Sequence, residues 1–107
     1  MTVPQPVLTY LTTPKAELGP RLAELFTEDA VVHDDGRTHV GLDAIRAWTD
    51  AVAAAFTFTR TVTDTTAAGN AVVVRTRVAG DFPGSPVHLH HHFSLDGDHI
   101  SALTICP

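Results

Sequence analysis

Apolar and polar positions along this chain follow a helical period in its first half and a period of two in its second. From Val7 onward, Val7, Leu8, Tyr10 and Leu11 give one buried side, and Leu18, Leu22, Leu25 and Phe26 give another. Pro6 suits the first turn of a short helix, where its missing N–H costs nothing, and Pro14 ends that helix. The spacing predicts a second helix over Lys15 to Phe26, split at Gly19-Pro20, with Thr27-Glu28-Asp29 as a polar link. Ala30 to Asp34 reads as a strand, because Val31 and Val32 fit a pleated surface. Asp35-Gly36 is a hairpin turn signal, since both residue types tolerate positive φ. Arg37 to Val40 forms the return strand and Gly41 breaks it. A helix then starts near Leu42, with Asp43 in the first turn, where negative charge suits the helix dipole. Leu42, Ile45, Trp48 and Val52 form its apolar face.

After residue 54 the period falls to two. Phe56 to Thr65 alternates strictly, with threonine at every odd position from 57 to 65, which predicts a strand with a threonine face. Ala67 to Asn70 reads as a turn. Ala71 to Ala79 reads as a strand with Val72, Val74, Thr76 and Val78 on one side and Val73, Arg75 and Arg77 on the other. Gly80 to Pro86 is a loop by composition. A long strand from Val87 to Leu95 sets Val87, Leu89, His91, Phe93 and Leu95 against His88, His90, His92 and Ser94. Asp96-Gly97-Asp98 turns the chain into a last strand, His99 to Ile105. Helices segregated from an antiparallel sheet make an α+β fold. The valine, leucine and phenylalanine face should meet the helices. The face with Arg75, Arg77, the even-numbered histidines and the threonines should meet water or a second subunit.

Composition narrows the function classes. With 107 residues the chain is read as one domain, 1–107, and 44% hydrophobic against 18% charged residues excludes a disordered one. A net charge of −5 with only 7 lysines and arginines argues against nucleic acid and against an anionic membrane surface. No apolar run could span a bilayer, and the N-terminus lacks a secretory pattern. The one cysteine, Cys106, has no internal partner for a disulfide, so a cytoplasmic location is expected.

The candidate chemistry centres on Asp34. It ends a strand beside a helix that presents Trp48, so it is expected to be the one acid in a mostly apolar cavity. Partly desolvated by Trp48 and Phe93, it could move a proton; the plainer reading is a turn in which Asp34 pairs with Arg37 and Asp35 caps Gly36. His91 falls in phase with Leu89 and Phe93, which makes it either a donor inside the cavity or a satisfied core histidine. Trp48, Phe26, Phe56, Phe93, Leu89 and Val74 are expected to build the core and line the cavity. His88, His90 and His92 have a spacing that can chelate a metal, but no further ligand is evident, so an outer face or dimer surface is expected and no metal.

Three stretches carry a resemblance. Leu25-Phe-Thr-Glu-Asp-Ala-Val-Val-His-Asp34, then Gly41-Leu-Asp-Ala-Ile-Arg-Ala-Trp48, then the C-terminal stretch of Phe82-Pro-Gly-Ser-Pro86, the strand to Leu95 and Gly97-Asp-His-Ile100 resemble the nuclear transport factor 2-like superfamily, and within it the SnoaL-like proteins. The resemblance implies a cone: a curved antiparallel sheet with three helices from the N-terminal half on its concave face. The superfamily holds isomerases, cyclases, epoxide hydrolases, dehydratases and non-catalytic binding domains, so fold alone does not fix function. Ketosteroid isomerase pairs an Asp base with an oxyanion hole of a tyrosine and a protonated aspartate. By that resemblance Asp34 stands at the base's position, Tyr10 at the tyrosine's and His91, a departure, at the second acid's. The resemblance therefore implies a cofactor-free isomerase or cyclase acting on a small hydrophobic ketone or polyketide, and the outer sheet face, by its polar pattern, is expected to join a homodimer. A non-catalytic binding or dimerisation module of the same fold is the alternative. A hydrolase of small epoxides, with Asp34 positioning water and an arginine assisting, is the third reading.

Overall fold

The structure, a computed structural model, describes residues 3–107. Helix α1 (Gln5–Thr12) leads into a broken helical segment: α2 (Lys15–Leu18), a 3₁₀ turn (Gly19–Arg21) and α3 (Leu22–Leu25). The hairpin β1 (Phe26–Asp34) and β2 (Arg37–Val40) precedes α4 (Leu42–Ala55). Four long strands complete the chain: β3 (Phe58–Ala68), β4 (Ala71–Gly80), β5 (Val87–Asp96) and β6 (His99–Cys106).

Local chemistry explains most of these boundaries. A proline in its first turn starts α1, and the Thr13 hydroxyl donates to the Thr9 carbonyl as the chain leaves it ahead of Pro14. At Asp35-Gly36 both residues take positive φ, 52° and 74°, which two-residue hairpins require. Gly41 opens α4, and its amide donates to Ala30 of β1, which ties the helix start to the sheet.

The strands form one curved sheet in the order β2-β1-β6-β5-β4-β3. The α+β class with helices packed on one face holds, but the sheet is mixed. β1 runs parallel to β6, and every other pair is antiparallel. Several local expectations shift: β3 starts at Phe58 rather than Phe56 and runs on through Ala67 and Ala68, read as turn. Phe26 to Asp29, read as helix end and link, belong to β1, because Phe26 turns extended and pairs with Ile100. The threonine face is also broken: a bulge between Val62 and Asp64 moves Thr65 onto the inner side, opposite Val74.

The core lies between the sheet's inner face and the helices. Tyr10 is 0% exposed, with its ring edge-on to Phe26 and to Phe93, each at 5.8 Å. Val7, Leu18 and Ile45 come to this core from the helices, and Val32, Val72, Val74, Ile100 and Leu103 from the sheet.

Candidate functional site

The sheet register sets up one row of inner-face residues. Asp34 lies beside Ile105, Ile105 beside His91, and His91 beside Val74. At the open end of the sheet this row borders a cavity of about 400 Å³. Its apolar walls come from Trp48 and Val52 on α4, Phe56 and Phe58 at the entry to β3, and Phe82 in the loop after β4. Val78, Val87, Leu89 and Ile105 floor it, and Cys106 and Pro107 close the rim. The Phe56 and Phe82 rings meet edge to face at 6.1 Å across the mouth.

Five groups bring polar chemistry into this hollow: Asp34, Asp35, Lys15, Arg60 and His91. The Trp48 indole N–H donates to the Asp34 carboxylate at 3.1 Å, which fixes one oxygen. On its other side the Trp48 ring stacks with His39 of β2 at 5.7 Å. The Lys15 nitrogen lies 3.7 Å from the centre of the Trp48 ring and donates to the Tyr10 hydroxyl at 2.8 Å. A chain of contacts therefore joins Asp34 to Trp48, Lys15 and Tyr10. Arg60 donates through one nitrogen to the carbonyls of Tyr10 and Thr13, each at 3.0 Å, which clamps the end of α1 to β3. Its other terminal nitrogen is buried without a partner.

Burial sets the protonation of this site. Loss of hydration, then the Arg60 charge, holds the Lys15 amine well below its usual 10.5, while Asp34 pulls the other way. His91 is pushed down to about 3, first by burial and then by the positive charges of Arg60 and Lys15. It is therefore a neutral imidazole at pH 7, with Nδ1 3.5 Å from the Thr76 hydroxyl. Tyr10 is raised to about 12, mainly by burial, and keeps its proton.

Of the residues singled out from the sequence, Asp34, His91, Trp48, Phe56 and Leu89 meet at the cavity. Tyr10, Phe26, Phe93 and Val74 do not line it and pack in the core instead. The reason is depth: α1 ends at Thr12 and drives Tyr10 under the sheet, and Lys15 occupies the place between its hydroxyl and the cavity. The aromatic cluster of Phe26 and Phe93 fills that closed end. Phe93 is thus no neighbour that desolvates Asp34; Trp48 is the contact. Sequence patterning singled out neither Lys15 nor Arg60. Arg60 was legible in principle, since it is in phase with Phe58 and out of phase with the threonines before the bulge.

His88 and His90 face outward opposite Arg77 and Arg75, and His92 opposite Val73. Among the described residues no group of three or more histidine, cysteine, aspartate or glutamate side chains is placed to hold a metal ion. Among them, too, no helix is long and apolar enough to cross a membrane.

Comparison with known proteins adds the lineage. A family model described as a SnoaL-like domain matches residues 11–103. The crystal structure of a proposed polyketide cyclase from Sinorhizobium meliloti is 35% identical, with 97% of this chain and 95% of that one covered at a TM-score of 0.91. A ketosteroid isomerase-like-fold protein from Catenulispora acidiphila, solved with trimethylamine, is 21% identical over 99% and 87%, with a TM-score of 0.84. A proposed SnoaL-like polyketide cyclase from Jannaschia sp. CCS1 is 19% identical over 95% and 82%, with a TM-score of 0.83. These last two likenesses speak to the fold alone. Among curated proteins, none matches the chain.

Proposed function

Since this chain belongs to the SnoaL-like domain family, we propose that its cavity carries out cofactor-free proton transfer at a carbon next to the carbonyl of a small hydrophobic ketone or polyketide. The observation that carries this reading is the placement of Asp34: a carboxylate on the wall of an apolar hollow, with one oxygen held by Trp48 and the other open. In the proposed step that open oxygen takes the α-proton, and the charge moves to the carbonyl oxygen as an enolate. In this reading His91, Arg60 and Lys15, which line the hollow, supply the donors to that oxygen. Tyr10 serves indirectly, by holding Lys15. The 35% identity to a proposed polyketide cyclase supports a polyketide-like substrate.

The test is deuterium exchange at the α-carbon of a small cyclic ketone, monitored by NMR with and without protein. Wild type should accelerate exchange, and Asp34→Asn should remove about 100-fold or more of that acceleration with a melting temperature near wild type. Equal exchange by both proteins would end the proposal. Arg60 favours a second reading, in which Asp34 positions water and Arg60 stabilises the opening oxygen of an epoxide. A product heavier than its substrate by one water would select it.

A further inference from the structure

Lys15 is the chain's single lysine; the other six basic side chains are arginine. A lysine is ordinarily a surface residue with its ammonium in water. Here it is 9% exposed, lines the apolar cavity, and is in no salt bridge; the ion pairs among the described residues are Arg21–Glu24 and Arg46–Asp50, on the surface. Its nitrogen is instead held by two uncharged groups, the Tyr10 hydroxyl at 2.8 Å and the Trp48 ring at 3.7 Å, with the Arg60 cation close by. A lysine kept for stability would be paired with a carboxylate, since an unpaired buried charge is costly. Desolvation together with a neighbouring cation is the arrangement that turns lysine into a nucleophile.

We propose that Lys15 is a second reactive centre of this cavity, an amine that condenses with the carbonyl carbon of a small hydrophobic aldehyde or ketone to form an imine. The nitrogen lone pair makes the C–N bond while the carbonyl π pair moves to oxygen. A proton from nitrogen passes to that oxygen and gives a carbinolamine. Loss of the second N–H proton with the hydroxyl then releases one water and leaves C=N. No oxidant or reductant enters. Burial, then the Arg60 charge, lowers the proton affinity of this amine well below that of an exposed lysine, which favours the free lone pair that attacks. The resulting imine draws electrons from the adjacent carbon as a carbonyl does, and more strongly once protonated, so Asp34 would face an easier proton to remove. This rests on the reading that the cavity admits carbonyl compounds, but forming the adduct does not need Asp34.

The test uses the full chain at pH 7 with benzaldehyde, which has no α-hydrogen, and borohydride to reduce any imine to a stable benzylamine. Intact mass and peptide mapping then locate the label. The expected result is one benzyl group on Lys15, formed at least about tenfold faster than on the lysine of a model peptide. Lys15→Met should lose it and Asp34→Asn should keep it. Label confined to the N-terminal amine, or Lys15 labelled no faster than the peptide, overturns the proposal on the wild-type map alone, whatever the variants do. If no adduct forms while ketone exchange still depends on Asp34, the imine is wrong and the enolate reading stands. An adduct without exchange supports the imine and removes the enolate.

Discussion

His91 shares a row of the sheet with Asp34, and its ring is 2% exposed. Its pKa of about 3 in the folded chain, against 6.5 when unfolded, makes its protonation a stability term. Below pH 6.5 the unfolded chain takes up a proton at this site and the folded chain does not, so stability should fall as pH drops from 6.5 toward 3. His91→Gln keeps a polar partner for Thr76 but cannot titrate. Urea denaturation at pH 7 and pH 4 should show wild type losing more stability between the two than the variant, by on the order of a few kcal/mol. An equal loss would mean the ring is hydrated when folded. Lys15 and Tyr10 act at the alkaline end with opposite signs. Below pH 10.5 the unfolded chain protonates Lys15 more readily than the folded chain does, whereas above pH 10 the unfolded chain gives up the Tyr10 proton first.

Strand β3 is an edge strand, and its start both closes the sheet and supplies Phe58 and Arg60 to the cavity. It is pinned at that end. The Thr57 amide donates to the Asp81 carboxylate at 2.8 Å, and the Asp81 amide donates back to the Thr57 carbonyl at 3.1 Å. Gly80, opposite Phe58, permits this close approach. A Cβ there would run into the Thr57 carbonyl oxygen and lie 2.6 Å from the Phe58 Cβ. Gly80→Ala should therefore push β3 away and cost about 1–3 kcal/mol in urea denaturation. The same variant should weaken binding of an apolar probe in the cavity, because Phe58 moves with the strand. Unchanged stability would show that the edge yields at no cost. Much at this scale is legible in the sequence: the strand phases of β4 and β5, the Asp35-Gly36 hairpin and the break at Gly19-Pro20 all arise from local patterning. The bulge after Val62 is not, since it answers to the twist of neighbouring strands rather than to the threonine repeat.

For the whole molecule, the last strand in sequence is a central one in space. β6 lies between β1 and β5, so the N-terminal hairpin and the three-strand meander are joined only through it within the sheet. Leu103 sits at that join, fully buried, beside Val32 on one side and Phe93 on the other. Leu103→Ala should cost about 2–5 kcal/mol and still unfold in a single step; two separate transitions would mean the halves fold independently. The sequence by itself determined the α+β class, which side of β4 and β5 is buried, and the phase that sets His91 with Leu89 and Phe93, because alternation and turn chemistry act over neighbouring residues. Only the tertiary structure decided that β1 runs parallel to β6 and that Tyr10 is sealed beneath Lys15. It alone gathered Lys15, Trp48, Arg60 and Asp34 around one hollow. Those outcomes depend on how distant segments compete for the same space, and the hydropathy of a short window carries no record of that.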